Sequence, residues 1–503
     1  MKLFNVNQIA VIDKDTIEHE PIESIDLMER ASLAIFKKLK EIFSNDNKFV
    51  VVVGTGNNGG DGLAVARMLH IEGYTVKVVL IEISNKLSPD CKNNLNRLKS
   101  LINVNVLTVS NINEFKLENN EIIIDALFGS GLSRPIEGLA LEIIKKINTS
   151  GSKIVSIDLP SGLFGEDNSM NNTDGIVKAN LTLTLQFPKI SFFFAENNVF
   201  TGKLFVLPIG LHPEVLISES SLFHYLDETE VKSFLKVRET FSHKGTYGHA
   251  LLISGSYGKM GAAILASKAC MRSGVGLLTT HIPKCGYEIM QTAIPEAMVS
   301  TDTSENFISE LPSIKNYSAI GIGPGIDIHE LTKELVHKLL STSELPIVID
   351  ADSLNILSEN KKLLKILPEN SILTPHPKEF DRLAGVSETT FERHQKAITF
   401  AKKYKVIIDL KGAFTQVICP DGKCFFNSTG NPGMATGGSG DVLTGIILGL
   451  LSQGYLPIEA ALLGVYIHGL SGDLAEINSG QESIIASDII DNIGNAYKII
   501  HTD

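Results

Sequence analysis

The chain has 503 residues, of which 43% are hydrophobic and 20% are charged, with a formal net charge of −12. This composition is typical of a globular protein of two or three domains, and it excludes collagen, a coiled coil and a disordered chain. The acidic balance disfavours nucleic-acid binding, because such a partner requires a basic surface. An anionic ligand must therefore be held by local groups such as backbone N–H donors, helix N-termini or a metal ion.

The first part of the chain alternates between strand and helix patterns. Apolar residues recur at helical spacing near 7–18 and 24–43, which predicts two initial helices. Short apolar, β-branched runs then alternate with helical patterns, which predicts βαβ units and a parallel sheet with helices on both faces. The predicted strands are 48–53, 75–82, 104–107, 121–126, 153–158, 179–187 and 203–207, and the helices between them are 60–72, 88–101 and 136–149.

A second α/β series follows a more polar stretch at 212–245. We place a boundary near 218–224 and expect an N-terminal domain over 1–217 and a C-terminal domain over 225–503. The two series share no repeat period, so we predict two different α/β domains and not a duplication. The second series comprises predicted strands at 248–254, 275–281, 318–322, 346–350, 371–374 and 405–410, a hairpin at 415–426, and helices at 440–452, 457–474 and 486–500.

Cysteine usage and hydropathy indicate the compartment. The five cysteines form no CxxC pair, which disfavours a zinc site and suits a reducing environment. Polar residues occur among the first five positions, so we predict no signal peptide. The chain has no run of about 18 apolar residues, so we predict no membrane helix. We therefore expect a soluble, cytoplasmic protein.

A glycine-rich loop follows the first predicted strand of the sheet. Strand 48–53 leads into Gly-Thr-Gly-Asn-Asn-Gly-Gly-Asp-Gly, which matches GxGxxG from Gly54 to Gly59. Such a loop before a helix favours a phosphate or pyrophosphate site, because glycines admit close backbone approach and the helix start supplies N–H donors. Glu82, after the next strand, would then be the ribose-binding acid. A tight turn without a ligand is the simpler alternative, and the loop's Asn and Asp oxygens equally suit a sugar or a hard cation.

Two further strand ends carry an acidic residue followed by a flexible loop. Asp125 ends strand 121–126 and is followed by Gly129–Pro135, which contains an arginine. Asp158 ends strand 153–158 and is followed by Leu-Pro-Ser-Gly. Ligands of open α/β sheets lie beyond the carboxyl ends of the strands, so we expect the three loops to converge. Each carboxylate alone would more simply cap a helix or form a turn.

These three segments, in this order, resemble the NAD(P)H-hydrate epimerase domain, the YjeF N-terminal family, over about 1–215. The resemblance implies a Rossmann-like three-layer α/β domain and a K⁺ ion bound by Asn58, Asp125 and Ser161, whose hard oxygen donors suit such a cation. Epimerisation at C6 of the hydrated ring needs an acid or base, for which Asp158 is the catalytic candidate. The implied substrate-binding residues are Asn57, Asn58, Gly59, Gly60, Asp61, Gly129, Ser130, Gly131, Leu132, Ser133, Arg134, Pro135 and Asp158.

The most informative segment of the second half is Asn431–Val442. Gly437, Gly438 and Gly440 lie at the start of an apolar helical run, where free N–H groups form an anion hole. Asp441 follows at the mouth of that hole. It either caps the helix or takes a proton from a hydroxyl that faces a phosphate, as a general base would.

Polar or glycine-rich segments also follow the other strands of this half. A lone lysine is commonly a surface residue and a lone histidine is commonly structural, but two prolines fix the backbone around His376. Because several such segments follow parallel strands, we expect them to face one ligand. The segments are Gly321–Gly325, Asp350–Asp352, Thr374–Glu379 and Lys411–Gly412.

This half is similar to the ADP/ATP-dependent NAD(P)H-hydrate dehydratase of the ribokinase-like superfamily, over about 225–503. The similarity includes Gly323-Pro324-Gly325, Asp350–Asn355, Thr374–Pro377 and Gly430–Gly445. It departs at Ile326-Asp327, where the family often continues with Leu-Gly. The similarity implies hydrate contacts at Ala262, Gly325, His376 and Asp441, and ADP or ATP contacts at Lys411, Gly412, Ala413, Phe414, Thr415 and Gly440, with Mg²⁺ as a cofactor.

Together the two resemblances imply a bifunctional metabolite-repair enzyme. Hydration of the nicotinamide 5,6 double bond gives NADHX or NADPHX as R and S epimers; one domain would interconvert them and the other would dehydrate the S form. The alternative is a ribokinase-like small-molecule kinase fused to a nucleotide-binding module. The expected partners are these hydrates and an adenine nucleotide, with no nucleic acid and no membrane, and we expect a homo-oligomer.

Overall fold

The computed structural model describes residues 1–84, 86–102 and 104–502, which form two compact units. The N-terminal unit is built from Lys2–Ser221, and the C-terminal unit from Leu222–Glu388 and the chain from Glu392 onward. Every helix among the described residues is too short or too polar to span a bilayer.

The N-terminal unit contains eight strands and seven α-helices among its described residues. The strands are β1 (Lys2–Leu3), β2 (Lys48–Val53), β3 (Thr75–Ile81), β4 (Asn105–Val109), β5 (Glu121–Ala126), β6 (Ile154–Ile157), β7 (Leu181–Leu185) and β8 (Lys203–Leu207). The helices are α1 (Val6–His19), α2 (Ser24–Ile42), α3 (Asn57–Ile71), α4 (Pro89–Lys99), α5 (Gly138–Asn148), α6 (Asn198–Thr201) and α7 (Pro213–Ser218).

Strands β2 to β8 form a parallel sheet in the order β4-β3-β2-β5-β6-β7-β8. Alternate residues of β2 enter two different hydrophobic cores, with Val51 and Val53 in one and Val50 and Val52 in the other. Both faces of the sheet are therefore covered, which explains why its central strands are continuous apolar runs. The three-layer prediction is confirmed.

The C-terminal unit contains ten strands and ten α-helices among its described residues. The strands are β9 (Phe223–Leu226), β10 (His249–Ile253), β11 (Leu277–Ile282), β12 (Met298–Thr301), β13 (Ala319–Ile322), β14 (Ile347–Ile349), β15 (Ile372–Leu373), β16 (Ile407–Leu410), β17 (Gln416–Ile418) and β18 (Cys424–Asn427). The helices are α8 (Glu228–Lys232), α9 (Met260–Arg272), α10 (Tyr287–Ala293), α11 (Glu330–Thr342), α12 (Ala351–Glu359), α13 (Pro377–Ala384), α14 (Thr390–Tyr404), α15 (Ser439–Ser452), α16 (Pro457–Ser479) and α17 (Ala486–His501).

The C-terminal sheet has the order β9-β18-β17-β16-β15-β14-β13-β10-β11-β12. Its strands from β10 to β16 are parallel, and β17 and β18 form the predicted antiparallel hairpin. Helix α15 is almost entirely buried and packs against α9, where Gly445 lets the two backbones approach closely. This packing places the first turn of α15 beside the carboxyl ends of the parallel strands.

Two features differ from the prediction. Helix α3 begins at Asn57 and not near residue 60, because Gly56 is its N-cap and the Asn-Asn-Gly-Gly run is already helical. The asparagines therefore project from a helix start. The short strands β1, β9 and β12 were not predicted, since each is only partly buried and none is a continuous apolar run.

Candidate active sites

A cavity of about 660 Å³ opens beside the carboxyl ends of the N-terminal sheet. The loops after β2, β5 and β6 line it, together with one face of α1. The three loops converge because neighbouring parallel strands end at the same edge of the sheet. Of the candidate residues, the cavity wall contains Asn57, Asn58, Asp61, Gly129, Ser130, Gly131, Leu132, Arg134 and Asp158.

Two glycines of the first loop are required by backbone packing. A Cβ at Gly54 would lie 2.0 Å from the carbonyl oxygen of Leu127, and a Cβ at Gly59 would lie 2.1 Å from that of Gly54. No side chain fits at these distances, so part of the GxGxxG pattern reflects the close approach of the loops after β2 and β5. Gly60 lies against the thioether of Met28, inside the helix packing.

Asp125 is the fully buried acid at the centre of this edge. Its carboxylate accepts hydrogen bonds from the hydroxyls of Ser156 (2.7 Å) and Ser161 (2.6 Å) and from the backbone N–H of Ser161 (2.8 Å). The Asn58 amide donates to the carbonyl of Phe128 (2.8 Å), whose own N–H donates to the Ser161 hydroxyl (2.8 Å). Burial raises the pKa of Asp125, hydrogen bonds from Ser161 oppose this, and no cationic side chain of the described residues is paired with it.

Asp158 follows β6 directly and has a left-handed backbone with φ of 64°, which Asp tolerates better than most residues. Its Oδ1 atom accepts hydrogen bonds from the ammonium of Lys189 (2.7 Å), the N–H of Leu185 (3.1 Å) and the hydroxyl of Thr184 (3.3 Å). The Lys189 side chain is only 2% exposed, so water screens this ion pair weakly. The Asp158 carboxylate is thus held in one orientation on the cavity wall.

Two more carboxylates line the same cavity. Burial and the negative charge of Asp158 raise the pKa of Asp61, in α3, well above its ordinary value. Burial and Asp158 also raise the pKa of Asp13, in α1, to about 6, although Lys189 opposes the shift. The cavity wall therefore contains three carboxylates, Asp13, Asp61 and Asp158, and two cations, Lys189 and Arg134.

A second cavity, of about 680 Å³, lies between the end of β16 and the start of α15. Stretch 427–435 and helix α16 complete its wall. At α15 the wall is formed by Ser439, Gly440 and Leu443, at a helix start that no side chain caps, and such a start can bind an anion. Of the candidate residues, this wall contains His376, Lys411, Gly412, Ala413, Thr415 and Gly440.

A buried ion pair organises this edge. The Lys411 ammonium lies 3.0 Å from Oδ1 of Asp350, whose other oxygen accepts a hydrogen bond from the Thr444 hydroxyl (2.8 Å). Burial alone would lower the pKa of Lys411, but Asp350 and Glu379 outweigh it and hold that pKa above its ordinary value. A Cβ at Gly440 would lie 3.3 Å from the ammonium, so this charge reaches the first turn of α15.

Asp441 lies in the first turn of α15. The N-cap of α15 is Gly438, which has φ of 90°. No side chain caps the first N–H groups of the helix, which leaves them available to an anion. Burial and Asp350 raise the pKa of Asp441 to about 7, while Lys411 opposes the shift. Asp441 accepts no hydrogen bond from the described residues, so the simple capping alternative lacks its defining contact. A carboxylate that titrates near neutral pH beside an anion site is suited to general-base chemistry.

Ala262 and Gly325 lie together, away from the wall of the second cavity. A Cβ at Gly325 would approach that of Ala262 to 3.2 Å. Nearby, the Lys259 ammonium lies 3.3 Å from Asp352 and 3.9 Å from Asp327, and the Asp327 N–H donates to Asp352 (2.9 Å). Lys259 is therefore shared between Asp352 and Asp327, the carboxylate that departs from the family pattern, and offsets only part of their charge.

Two histidines line the second cavity. His376 caps α13, since its Nδ1 accepts hydrogen bonds from the N–H groups of Lys378 (3.1 Å) and Glu379 (3.3 Å). Burial and nearby cations lower its pKa, so the ring is neutral at neutral pH. His468 lies 3.2 Å from the Ser439 hydroxyl, and burial lowers its pKa to about 4.

Comparisons with known proteins cover both units. Residues 24–191 match the model of the YjeF-related protein N-terminus, and residues 250–495 match that of the NAD(P)H-hydrate dehydratase. The chain is 34% identical to the bifunctional NAD(P)H-hydrate repair enzyme of Thermofilum pendens, over 100% of this chain and 97% of that protein. The same identity holds with the enzyme of Moorella thermoacetica, over 98% of this chain and 96% of that protein.

The chain belongs to the bifunctional NAD(P)H-hydrate repair enzyme family. Its C-terminal part is also similar to the crystal structure of the ADP/ATP-dependent NAD(P)H-hydrate dehydratase of Bacillus subtilis, co-crystallised with ATP and Mg²⁺. That match has 34% identity and a TM-score of 0.50, and it covers 55% of this chain and 99% of the other. The predicted family and the predicted pair of Rossmann-like and ribokinase-like α/β domains are confirmed.

In this repair-enzyme chain, sequence patterns missed several residues of the two walls. Lys189 carries a detectable signal, because it is a lone cation in the apolar run Phe187–Phe194. Asp13 carries one too, because it shares a helix face with Ile9. His468 interrupts an apolar helix pattern in the same way, but a lone histidine in such a pattern is commonly structural. Candidate residues that lie off the cavity walls are Gly59, Gly60, Asp125, Ser133, Pro135, Ser161, Ala262, Gly325, Phe414 and Asp441.

The raised pKa of Asp441 predicts a pH-dependent cost to stability. The folded pKa of about 7 exceeds the ordinary 3.8, so the folded state binds the proton more tightly and stability falls as pH rises from about 4 to 7. Asp441→Asn should therefore raise the unfolding free energy by about 1–3 kcal/mol at pH 8 and by less at pH 5. Thermal unfolding without nucleotide measures this. The exposed Asp491→Asn is the matched control, and an equal effect of both variants at pH 8 would contradict the argument.

Proposed function

We propose that this chain interconverts the R and S epimers of NADHX and NADPHX at C6 and dehydrates the S form to NADH or NADPH, using ADP or ATP. The observation that carries the proposal is the meeting of Asp441, Lys411 and the uncapped start of α15 beside one cavity. Relatives named as bifunctional repair enzymes align over nearly the whole chain, which favours repair over a kinase fused to a binding module.

Dehydration is difficult because hydroxide is a poor leaving group, whereas a phosphorylated hydroxyl leaves readily. Asp441 takes the proton from the C6 hydroxyl of the hydrate, and the hydroxyl oxygen attacks the terminal phosphorus of the nucleotide. Lys411 and the N–H groups at the start of α15 stabilise the charge on the transferring phosphoryl group. Phosphate then leaves C6, a proton leaves C5, and the 5,6 double bond is restored.

The nucleotide and the hydrate bind next to each other. The nucleotide lies in the cavity beside α15, and Mg²⁺ accompanies its phosphates, as is usual for phosphoryl transfer. The hydrate lies on the Asp441 side. The proposed nucleotide contacts are Lys411, Gly412, Ala413, Phe414, Thr415 and Gly440, and the proposed hydrate contacts are Ala262, Gly325, His376 and Asp441.

Epimerisation is assigned to the cavity of the N-terminal unit. Either the C6 hydroxyl leaves one face of the ring and returns to the other, or the ring opens and recloses; in the first route the lone pair of the ring nitrogen helps to expel the hydroxyl. The protein must therefore add a group that handles charge or protons beside C6. Asp158 is the proposed catalytic carboxylate, because it lies on the cavity wall and its orientation is fixed by Lys189.

The residues around Asp125 fit a K⁺ ion, which we propose for this unit. A fully buried carboxylate is costly without a positive partner, and the described residues supply Asp125 with hydroxyl and N–H donors but no cation. Asn58, Ser161 and Asp125 offer only hard oxygen donors. A bound cation would order the loops after β2, β5 and β6 around the cavity, while the acid–base chemistry stays with the side chains.

We further propose a cytoplasmic location and a homo-oligomeric state. All five cysteines are free thiols, which suits the reducing compartment that holds the NADH and NADPH pools. Analytical ultracentrifugation of the full chain tests the oligomeric state, and a monomer at micromolar concentration would contradict it.

The activity test uses Asp441→Asn, which keeps the shape of the side chain but removes the base. Dehydration of the S hydrate should fall by about 10²–10⁴-fold, as expected for a lost general base. The parent rate should rise with pH through about 7, because Asp441 must be ionised to accept the proton. Recovery of reduced-nicotinamide absorbance measures the rate, and epimer exchange by the same variant should match the parent. Dehydration at the parent rate, or a stable phosphorylated product from the parent protein, would refute the assignment.

The K⁺ proposal is tested by the unfolding temperature. The unfolding temperature of the parent protein should be higher in KCl than in tetramethylammonium chloride at equal ionic strength, because an ion that binds only the folded state stabilises it. Asp125→Asn should abolish this difference and slow epimerisation, while dehydration continues. Asp46→Asn, an exposed carboxylate of the same unit, is the control. A K⁺ effect that survives in Asp125→Asn would contradict the proposed site.

A further inference from the structure

Helix α1 places a carboxylate on the wall of the N-terminal cavity. Val6, Ile9, Ala10 and Asp13 all line that cavity and are spaced as one face of the helix. Three of these residues are apolar, so Asp13 is the titratable group of the face. None of the glycine- and aspartate-bearing loops contains it, and no resemblance assigned it a role.

Asp158, which lines the same cavity, is already engaged by other groups. One of its oxygens accepts hydrogen bonds from Lys189, Leu185 and Thr184, at 2.7, 3.1 and 3.3 Å. One of these donors is the buried ammonium of Lys189, which pairs with Asp158 at 2.7 Å. Asp158 is therefore arranged as one half of a fixed ion pair, and the candidates for a proton carrier are the other carboxylates of the cavity wall.

Asp13 has the surroundings that a proton carrier needs. Burial and the charge of Asp158 raise its pKa to about 6, and Lys189 opposes the shift. Asp61, from α3, also faces this group, and Arg134 lies on the same wall. A carboxyl that is partly protonated near neutral pH can donate a proton and then recover it within one turnover.

We propose that Asp13 is the acid–base residue of epimerisation and that Asp158 stabilises the cationic ring; this rests on the proposed function of the unit. The Asp13 proton passes to the C6 hydroxyl, the C6–O bond breaks with its electron pair on oxygen, and water leaves. The nitrogen lone pair forms the C6–N double bond, and the positive charge faces Asp158. Water then adds to C6 from the other face, returning its proton to Asp13 and the electron pair to nitrogen.

The test follows exchange between separated R and S epimers of NADHX by the full chain, with the spontaneous rate subtracted at each pH. The parent rate should fall as pH rises through about 6, because the protonated form of Asp13 starts the reaction. Asp13→Asn should lower exchange by about 10²–10⁴-fold and lose that pH dependence. Glu18→Gln, an exposed carboxylate of the same helix, should behave as the parent.

Asp13→Glu keeps the carboxyl and should retain part of the exchange rate with a shifted pH profile, which covers the case in which Asp13→Asn does not fold. Thermal unfolding followed by circular dichroism reports whether the N-terminal unit of each variant is folded, and unchanged dehydration of the S epimer reports the same for the C-terminal unit. Exchange by Asp13→Asn at the parent rate, or a slower rate with the parent's pH profile, would overturn the acid–base role. Parent protein that does not exceed the spontaneous rate would refute the epimerase function itself.

Discussion

Both cavities depend on carboxylates that a parallel sheet holds away from water. Asp125 lies near the end of β5, Asp158 follows the neighbouring strand β6, and Asp350 follows β14 in the other sheet. Each is stabilised by directed contacts: hydroxyls and N–H groups at Asp125, Lys189 at Asp158, and Lys411 with a hydroxyl at Asp350. These contacts fix charges in place before a ligand arrives, and such preorganisation is the main electrostatic contribution of proteins to catalysis.

Burial also gives the carboxylates of each site two different roles. At each site one carboxylate is held by a lysine, and a neighbour without such a partner has its pKa raised toward neutrality, Asp441 beside Asp350 and Asp13 beside Asp158. Pairs of acids whose surroundings differ in this way can act as a fixed charge and a proton carrier. An acidic chain can also bind an anionic nucleotide, because Lys411 and the start of α15 act locally.

Most strands of the two sheets could be predicted from the sequence, because buried parallel strands are continuous apolar runs. The glycine-bearing loops of both sites could be predicted too, because polar and glycine-rich segments follow those runs. The family resemblance grouped Asp125, Ser161 and Asn58. Ser161 donates to Asp125, and Ser161 and Asn58 both donate to the carbonyl of Phe128. Sequence patterns missed Asp13 and Lys189, because the first comes from a helix that precedes the sheet and the second from a loop after β7. Their approach to Asp158 is set by tertiary packing, which no local period encodes. The glycines at 54 and 59 were attributed to ligand approach, whereas backbone crowding alone requires them.

In the proposed function, the two sites of one chain together repair both epimers. A single experiment adds the full chain, ATP and Mg²⁺ to a mixture of R and S NADHX and follows reduced-nicotinamide absorbance and free phosphate. The whole pool should return to NADH without a slow second phase, with phosphate released in equal amount. Recovery that stops at the S fraction and continues only at the spontaneous rate, or a phosphorylated hydrate that accumulates, would contradict it.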